Sequence, residues 1–542
     1  MTETAGLAPA PAPAEPPLPA GALRSRAQPA PRWMWLLGFI VVIPLLVPIG
    51  SLFLRVAGGG AAVTETLLSG RTLSLLVRSV WFTAWVTLAA TAIGVAAAWL
   101  LVRSDLGAAR LWTVLVSLPL VIPSYVLALA LLSFFGGRGL FADLTGISLP
   151  SISGGFGAWL TLTMSTYPYV FLVTRSALRN VDPSYEDAAR SLGAGPWRAF
   201  RTVVLPQVRP AVGTGSLLVA LYTLSDFGGV SLMGFDVFTR VIYAQYQGRI
   251  DRTPAAVLAV VLIALALVVV LGEQRSRGRA AYFGTRPKGV PPLVPLIGRA
   301  RIAAYSGLGL VVFVGLMLPI GVLIAWLVRG LAGGQVIDMR WGALAGSLAG
   351  ATIAAAIAMV AALPVIVLAV RHPSKTSRWL RRTVFILFSL PHITVALAVV
   401  FFAANYLGSF YQSFILLAMV YAALFLAQAT GAGEASLLQV NPNLEEASRG
   451  LGRGSMSTLW RITVPLMWKG LLAGGVLVFL TTMKELPATL LLRPTGFDTL
   501  AVRIWSTTND LFYARAAAPS LLLLLASAVP MYLLVIRPRP TP

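Results

Sequence analysis

The sequence predicts an all-α polytopic membrane protein. Three observations carry this: too little charge for a soluble body, twelve apolar stretches of spanning length, and a second half that repeats the first. Of 542 residues, 57% are hydrophobic and 11% are charged, with a mean hydropathy of +0.81. A soluble domain carries roughly 25% charged residues to solvate its surface, so this chain cannot cover a water-facing body of its size. Lys and Arg number 42 against 19 Asp and Glu, a formal charge of +23. In a soluble protein such an excess points to nucleic acid. In a membrane protein it marks basic loops on the cytoplasmic side, and no nucleic-acid partner is expected. Cysteine is absent and the histidines are His372 and His392 alone. Disulfides, thiolate chemistry and a histidine-built metal centre are thereby excluded. No set of residues fills acid, base and nucleophile roles, so the chain is expected to be neither an enzyme nor a metal-site protein.

Crossing about 30 Å of hydrocarbon takes about 20 apolar residues in a helix, and helices are the open-chain solution because they satisfy their own backbone. The first six stretches lie near 34–54, 76–102, 111–134, 156–176, 210–233 and 253–272. The second six lie near 302–328, 341–370, 383–404, 409–429, 468–490 and 516–536. Residues 1–32 hold eight prolines among alanines, a composition that builds no core, and read as a disordered cytoplasmic tail. No small-residue cleavage site follows, so the first apolar stretch is expected to be a retained anchor.

Basic residues set the orientation. Segment 371–382 holds Arg371, Lys375, Arg378, Arg381 and Arg382 without an acid. Linker 273–301 holds Arg275, Arg277, Arg279, Arg286, Lys288, Arg299 and Arg301 against Glu273. Segment 175–209 carries Arg175, Arg179, Arg190, Arg198, Arg201 and Arg209, and the C-terminal tail carries Arg537 and Arg539. All four fall on one side when twelve spans are drawn with both termini in the cytoplasm.

The two halves are copies. Asp182-Pro183-Ser184-Tyr185-Glu186-Asp187-Ala188-Ala189-Arg190-Ser191-Leu192-Gly193 matches Asn441-Pro442-Asn443-Leu444-Glu445-Glu446-Ala447-Ser448-Arg449-Gly450-Leu451-Gly452 at a shift of 259 residues. The same shift carries Leu205-Pro206 onto Val464-Pro465 and Asp226 onto Glu485. Upstream, Ser117-Leu118-Pro119 matches Ser389-Leu390-Pro391 at 272, and a longer outer loop near 136–155 accounts for the difference. An even number of spans per copy makes the repeats parallel, related by a pseudo-twofold along the membrane normal. The expected organisation is a tail (1–32), a first repeat (33–272), a basic linker (273–301), a second repeat (302–536) and a short C-terminal tail (537–542).

Each copy carries a cytoplasmic helix–turn–helix. Asp182 and Asn441 are N-cap residues, with Pro183 and Pro442 at the first helical position, where a missing N–H costs nothing. The acids Glu186-Asp187 and Glu445-Glu446 fall early in the helix, where its dipole favours them. Gly193 and Gly452 end it. A second short helix is expected from Pro196 or Ser455, stopping at Pro206 or Pro465.

This loop resembles the coupling loop of permease subunits in binding-protein-dependent ABC importers. The resemblance is carried by Asp187-Ala188-Ala189, Gly193, Val203, Leu205 and Pro206, and again by Glu446-Ala447-Ser448, Gly452, Ile462, Val464 and Pro465. It implies that Glu186, Asp187, Ala188, Ala189, Gly193 and Pro206, with Glu445, Glu446, Ala447, Ser448, Gly452 and Pro465, couple the chain to a separate cytoplasmic ATPase present in two copies. ATP is then expected on that partner and no cofactor on this chain. No Gly-x4-Gly-Lys-Ser/Thr cradle is present; Gly450-Leu451-Gly452-Arg453-Gly454 follows no strand and is turn chemistry.

Charges inside spans are functional candidates by default. Asp226 and Glu485, related by the repeat, with Lys484, Ser225 and Thr482, are the candidate substrate-pathway residues. A structural role for the same acids is the competing reading. His392 reads as a packed residue. The surroundings Ser225-Asp226-Phe227-Gly228-Gly229-Val230 and Met483-Lys484-Glu485-Leu486-Pro487, with Gly496-Phe497-Asp498-Thr499-Leu500-Ala501, are similar to the fused ferric-iron permeases. That similarity implies ferric iron as cargo, an iron-binding protein outside, inner-membrane location and alternating access. Thiamine, polyamine and aminophosphonate permeases share the architecture and remain alternatives. An ion-gradient-driven secondary transporter is the alternative from another class.

Overall fold

The computed structural model describes residues 30–136, 139–248, 250–276, 293–334 and 341–535. The proline-rich tail up to residue 29, most of the linker with Arg277, Arg279, Arg286 and Lys288, and the C-terminal Arg537 and Arg539 lie outside the described residues, as does the side chain of Arg275.

Among the described residues the chain is helical, apart from one isolated β-bridge, and all twelve expected segments are helices. Eight are long and apolar enough to span by themselves: Arg32–Ala57, Gly70–Arg103, Phe200–Ser225, Thr253–Gly272, Arg299–Ala332, Trp341–Arg371, Phe414–Leu437 and Ser455–Met483. Gly155–Arg179 is more polar. Its Thr161, Thr163, Ser165, Thr166 and Thr174 are buried by neighbouring helices. Tyr513–Val535 is the twelfth.

The third segment of each half departs from the straight span expected. Ala109–Val121 and Ser124–Phe134 meet at 94°, and Lys375–Ser389 and His392–Tyr406 meet at 106°. The cause is local. A residue before proline is driven out of the helical region, and Ile122 and Leu390, preceding Pro123 and Pro391, are extended. The structural repeat therefore pairs Pro123-Ser124 with Pro391-His392, a shift of 268 residues (391 − 123) and four fewer than the Ser-Leu-Pro match.

A second correction concerns Pro206 and Pro465. The helix does not stop there; it runs on into the span. A π-helical turn, Phe200–Val204 in one half and Leu459–Thr463 in the other, precedes each proline. Widening the turn accommodates the ring and the missing N–H that would break an α-helix.

In the first half Gly155–Arg179 packs between Gly70–Arg103 and Leu205–Ser225, and in the second Phe414–Leu437 lies between Trp341–Arg371 and Val464–Met483. The first span of each half packs on the last span of its own half and also lies on the other half. Gly38 faces Leu368 and Leu380, where a Cβ would come within 3.0 and 3.1 Å of their Cδ1 atoms, and the Arg55 guanidinium stacks 4.3 Å from the Phe401 ring. Reciprocally, Tyr305 bonds the Gly107 N–H at 3.0 Å, and Arg329 pairs with Asp143 at 2.9 Å.

Candidate functional site

The duplicated loops fold into helices Pro183–Ser191 and Pro442–Gly450 with matching ends. Asp182 Oδ1 accepts the Ser184 N–H at 3.0 Å, and Asn441 Oδ1 accepts the Asn443 N–H at 3.0 Å. That bond holds the Asp182 carboxyl below the usual carboxylate range. At the other end Gly193 and Gly452 have φ of +86° and +80°. Gly193 N–H bonds Arg190 O and Ala194 N–H bonds Ala189 O; Gly452 and Arg453 repeat this with Arg449 O and Ser448 O. This is the paired closure of a left-handed helix stop.

The two acids of each helix point opposite ways. Asp187 and Glu446 are exposed, as are Ala188 and Ala447. Beside them stand Tyr185 and Leu192 in one copy and Leu444 and Leu451 in the other, with Leu192 at 88% and Leu451 at 84% exposure. Ala189 is half-buried, and Ser448 is buried with its hydroxyl 3.0 Å from that of Thr458.

Glu186 and Glu445 are buried. Glu186 Oε2 accepts from Arg103 Nη1 at 2.7 Å, and its Oε1 lies 3.3 Å from Arg190 Nη2. Glu445 accepts from Arg371 Nε at 3.2 and 3.1 Å and from Thr463 Oγ1 at 3.1 Å. Sequence reading treated the acids as one pair. The period of 3.6 residues per turn puts neighbours about 100° apart, so only one of each pair can face outward. Arg103 and Arg371 end the second spans of the two halves. Their matching positions were available in the sequence, but Arg371 read as a topology-setting charge and Arg103 was not singled out.

The pathway candidates cluster where the two halves meet. The helix before Asp226 ends at Ser225 and a short one, Gly228–Leu232, follows; the helix before Lys484 ends at Met483 and Pro487–Leu492 follows. Asp226 and Glu485 therefore sit in breaks, and do not lie within continuous spans as expected. Each caps the helix after it: Asp226 Oδ1 accepts the Gly229 and Val230 N–H groups at 3.0 and 3.2 Å, and Glu485 Oε1 accepts the Ala488 N–H at 3.1 Å. The remaining oxygen of each meets the first residue past the proline bend. Ser124 Oγ donates to Asp226 Oδ2, and His392 Nδ1 lies 2.8 Å from Glu485 Oε2. His392 also packs edge-on against Phe425 at 5.2 Å. Ser225 is half-buried, Thr482 is buried with its hydroxyl unbonded among the described residues, and Lys484 Nζ crosses between the halves to Leu120 O at 3.1 Å. The two acids are thus engaged in the same way twice, while Lys484 ties one half to the other.

The family model for the inner membrane component of binding-protein-dependent transport systems matches residues 90–272 and again 354–536. The chain belongs to this family. The permease also resembles, over 93% of its length, the Fe(3+)-transport system permease protein FbpB 2 of Haemophilus influenzae, at 31% identity across 98% of that protein. The ferric transport system permease protein FbpB of Actinobacillus pleuropneumoniae is 23% identical over 87% of the chain and 72% of its own length. The molybdenum transport system permease protein ModB of Escherichia coli K12 is 34% identical over 33% of the chain and 81% of its own length. The permease is therefore a multi-pass, all-α protein carrying two fused copies of the family unit.

Proposed function

We propose that this permease is the membrane subunit of an ATP-driven importer of ferric iron. An extracytoplasmic binding protein delivers the cargo, and two copies of a cytoplasmic ATPase power the transport, holding all the ATP. Both termini are cytoplasmic in this reading. The observation that carries it is the pair of projecting helices, alike in cap, glycine stop and exposed face, one per half. Two like surfaces suit two like subunits. Asp187 and Leu192, with Glu446 and Leu451, form the docking faces, and closure of the ATPase pair tilts the halves about the breaks at Asp226 and Glu485. That rocking opens the interface to one side and then the other. Ferric iron is favoured as cargo because the resemblance to the iron permease of Haemophilus influenzae runs end to end, whereas the molybdenum permease matches a third of the chain.

Uptake of labelled ferric iron, molybdate, thiamine and putrescine is measured in cells lacking the chain, before and after it is restored. Iron uptake alone is expected to return, and to fall at least tenfold with Asp187→Arg and Glu446→Arg together, with less ATPase co-purified. Return of another label replaces the cargo. Full transport by the double variant overturns the docking assignment, and transport by the chain alone under an ion gradient overturns the ATP-driven reading.

A further inference from the structure

We infer that Glu186 and Glu445 are not docking acids but the two anchors of the coupling helices, keyed to the second spans by Arg103 and Arg371, and that the second anchor is rigid while the first is compliant. This rests on the proposed importer reading, since an anchor transmits only what a docked ATPase delivers.

The anchoring itself follows from burial. Arg103 and Glu186 expose 3% and 5% of their side chains, and Arg371 and Glu445 expose 12% and 8%. Charges so removed from water persist when paired, so each projecting helix is held to the span end carrying its arginine. A load on the exposed face therefore passes into Gly70–Arg103 or Trp341–Arg371, each packed along the central helix of its half.

The inequality follows from the hydrogen-bond sets. The Arg371 fork is used on two sides: Nε serves both Glu445 oxygens, and Nη2 reaches Val440 O at 2.9 Å and Leu437 O at 3.4 Å. Those carbonyls belong to the segment leading into the coupling helix, so Arg371 grips its entry as well as its acid. Thr463, in the π-turn beyond, closes on Glu445 from the far side. Among the described residues Arg103 reaches Glu186 through Nη1 alone, and its Nε and Nη2 are buried without a hydrogen-bond partner. Its backbone is tied elsewhere: the Arg103 carbonyl accepts from Val294 N–H at 2.8 Å, and Asp105 Oδ1 accepts from Leu296 N–H at 2.8 Å. The first anchor is a single bond set beside the approach to the second half, and the second is a clamp.

Lysine separates the two designs, because it supplies a point charge and not a planar fork. Arg103→Lys can replace one N–H···O contact; Arg371→Lys cannot replace the Nε and Nη2 set. Both variants are made in the full chain, co-expressed with the ATPase and reconstituted in lipid vesicles with the binding protein and ferric iron. The readouts are ATPase co-purified and iron moved per ATP hydrolysed. Expected results are normal ATPase recovery in both, transport per ATP within threefold of the parent for Arg103→Lys, and at least a tenfold loss for Arg371→Lys. Thr463→Val, which leaves the arginine in place, should lose about threefold, and it carries the test if Arg371→Lys fails to accumulate. Equal effects of the two lysine variants, or parental coupling in Arg371→Lys or in Thr463→Val, overturn the inference. Failure of the parent chain to recover the ATPase sinks the importer reading itself, a result seen in the parent alone.

Discussion

Asp182 and Asn441 occupy the same cap, but only one of them titrates. The Ser184 N–H bond lowers the folded-state pKa of Asp182, so its contribution to helix Pro183–Ser191 is present above the unfolded value of about 4 and is lost as pH falls through the lower folded value. Exchange of the Ser184 amide, relative to its intrinsic rate, should therefore rise on acidification below about pH 4. The Asn443 amide should show no such rise, and Asp182→Asn should abolish the difference. The glycine stops give a second prediction at this scale. Among the described residues a Cβ at Gly193 or Gly452 meets nothing within 4 Å, so alanine there costs the left-handed backbone strain, about 1–2 kcal/mol. Limited proteolysis of the loops should speed up by about tenfold with little change elsewhere.

At the scale of elements, the breaks in the spans decide the shape. Each proline bend starts a helix whose first residue, Ser124 or His392, bonds the carboxylate at the break in the fifth span of the same half. Glu485→Ala removes a cap and unpairs His392, which should cost about 2 kcal/mol in all and lower the apparent melting temperature of the purified protein. Glu485→Gln keeps an acceptor for the Ala488 N–H and should lose less than half as much. A melting temperature unchanged by the alanine variant would show that the cap carries no weight. The sequence reading matched Pro391 to Pro119, four residues before the Pro123 that makes the equivalent bend, and it did not show the bend itself. Hydropathy sums residues over a window and is blind to one extended residue before a proline.

Over the whole molecule, each first span lies on the opposite half, so the chain connection is not what holds the halves together. Cleavage at an engineered protease site within 277–292 should leave both halves co-eluting in detergent. Deleting residues 30–57 as well should release a measurable fraction, because the packing of Gly38 and Arg55 on the second half is lost. Separation of the halves on cleavage alone would contradict that packing.

The sequence by itself determined the class, the parallel repeat and the ends of the helices Pro183–Ser191 and Pro442–Gly450, because these depend on hydropathy, spacing and residues adjacent in the chain. Asp182, Pro183 and Gly193 cap and stop a helix through bonds spanning two to five residues, so nothing distant is needed to predict them. The tertiary structure decided which acid of each pair turns inward, since that required knowing where Arg103 and Arg371 end, 83 and 74 residues away. It also decided that Asp226 and Glu485 are capped and bonded at breaks, that Lys484 reaches Leu120 across the interface, and that the first spans also lie on the opposite half. Those are facts of juxtaposition: a buried charge takes its role from the partner that replaces water, and that partner comes from another part of the chain.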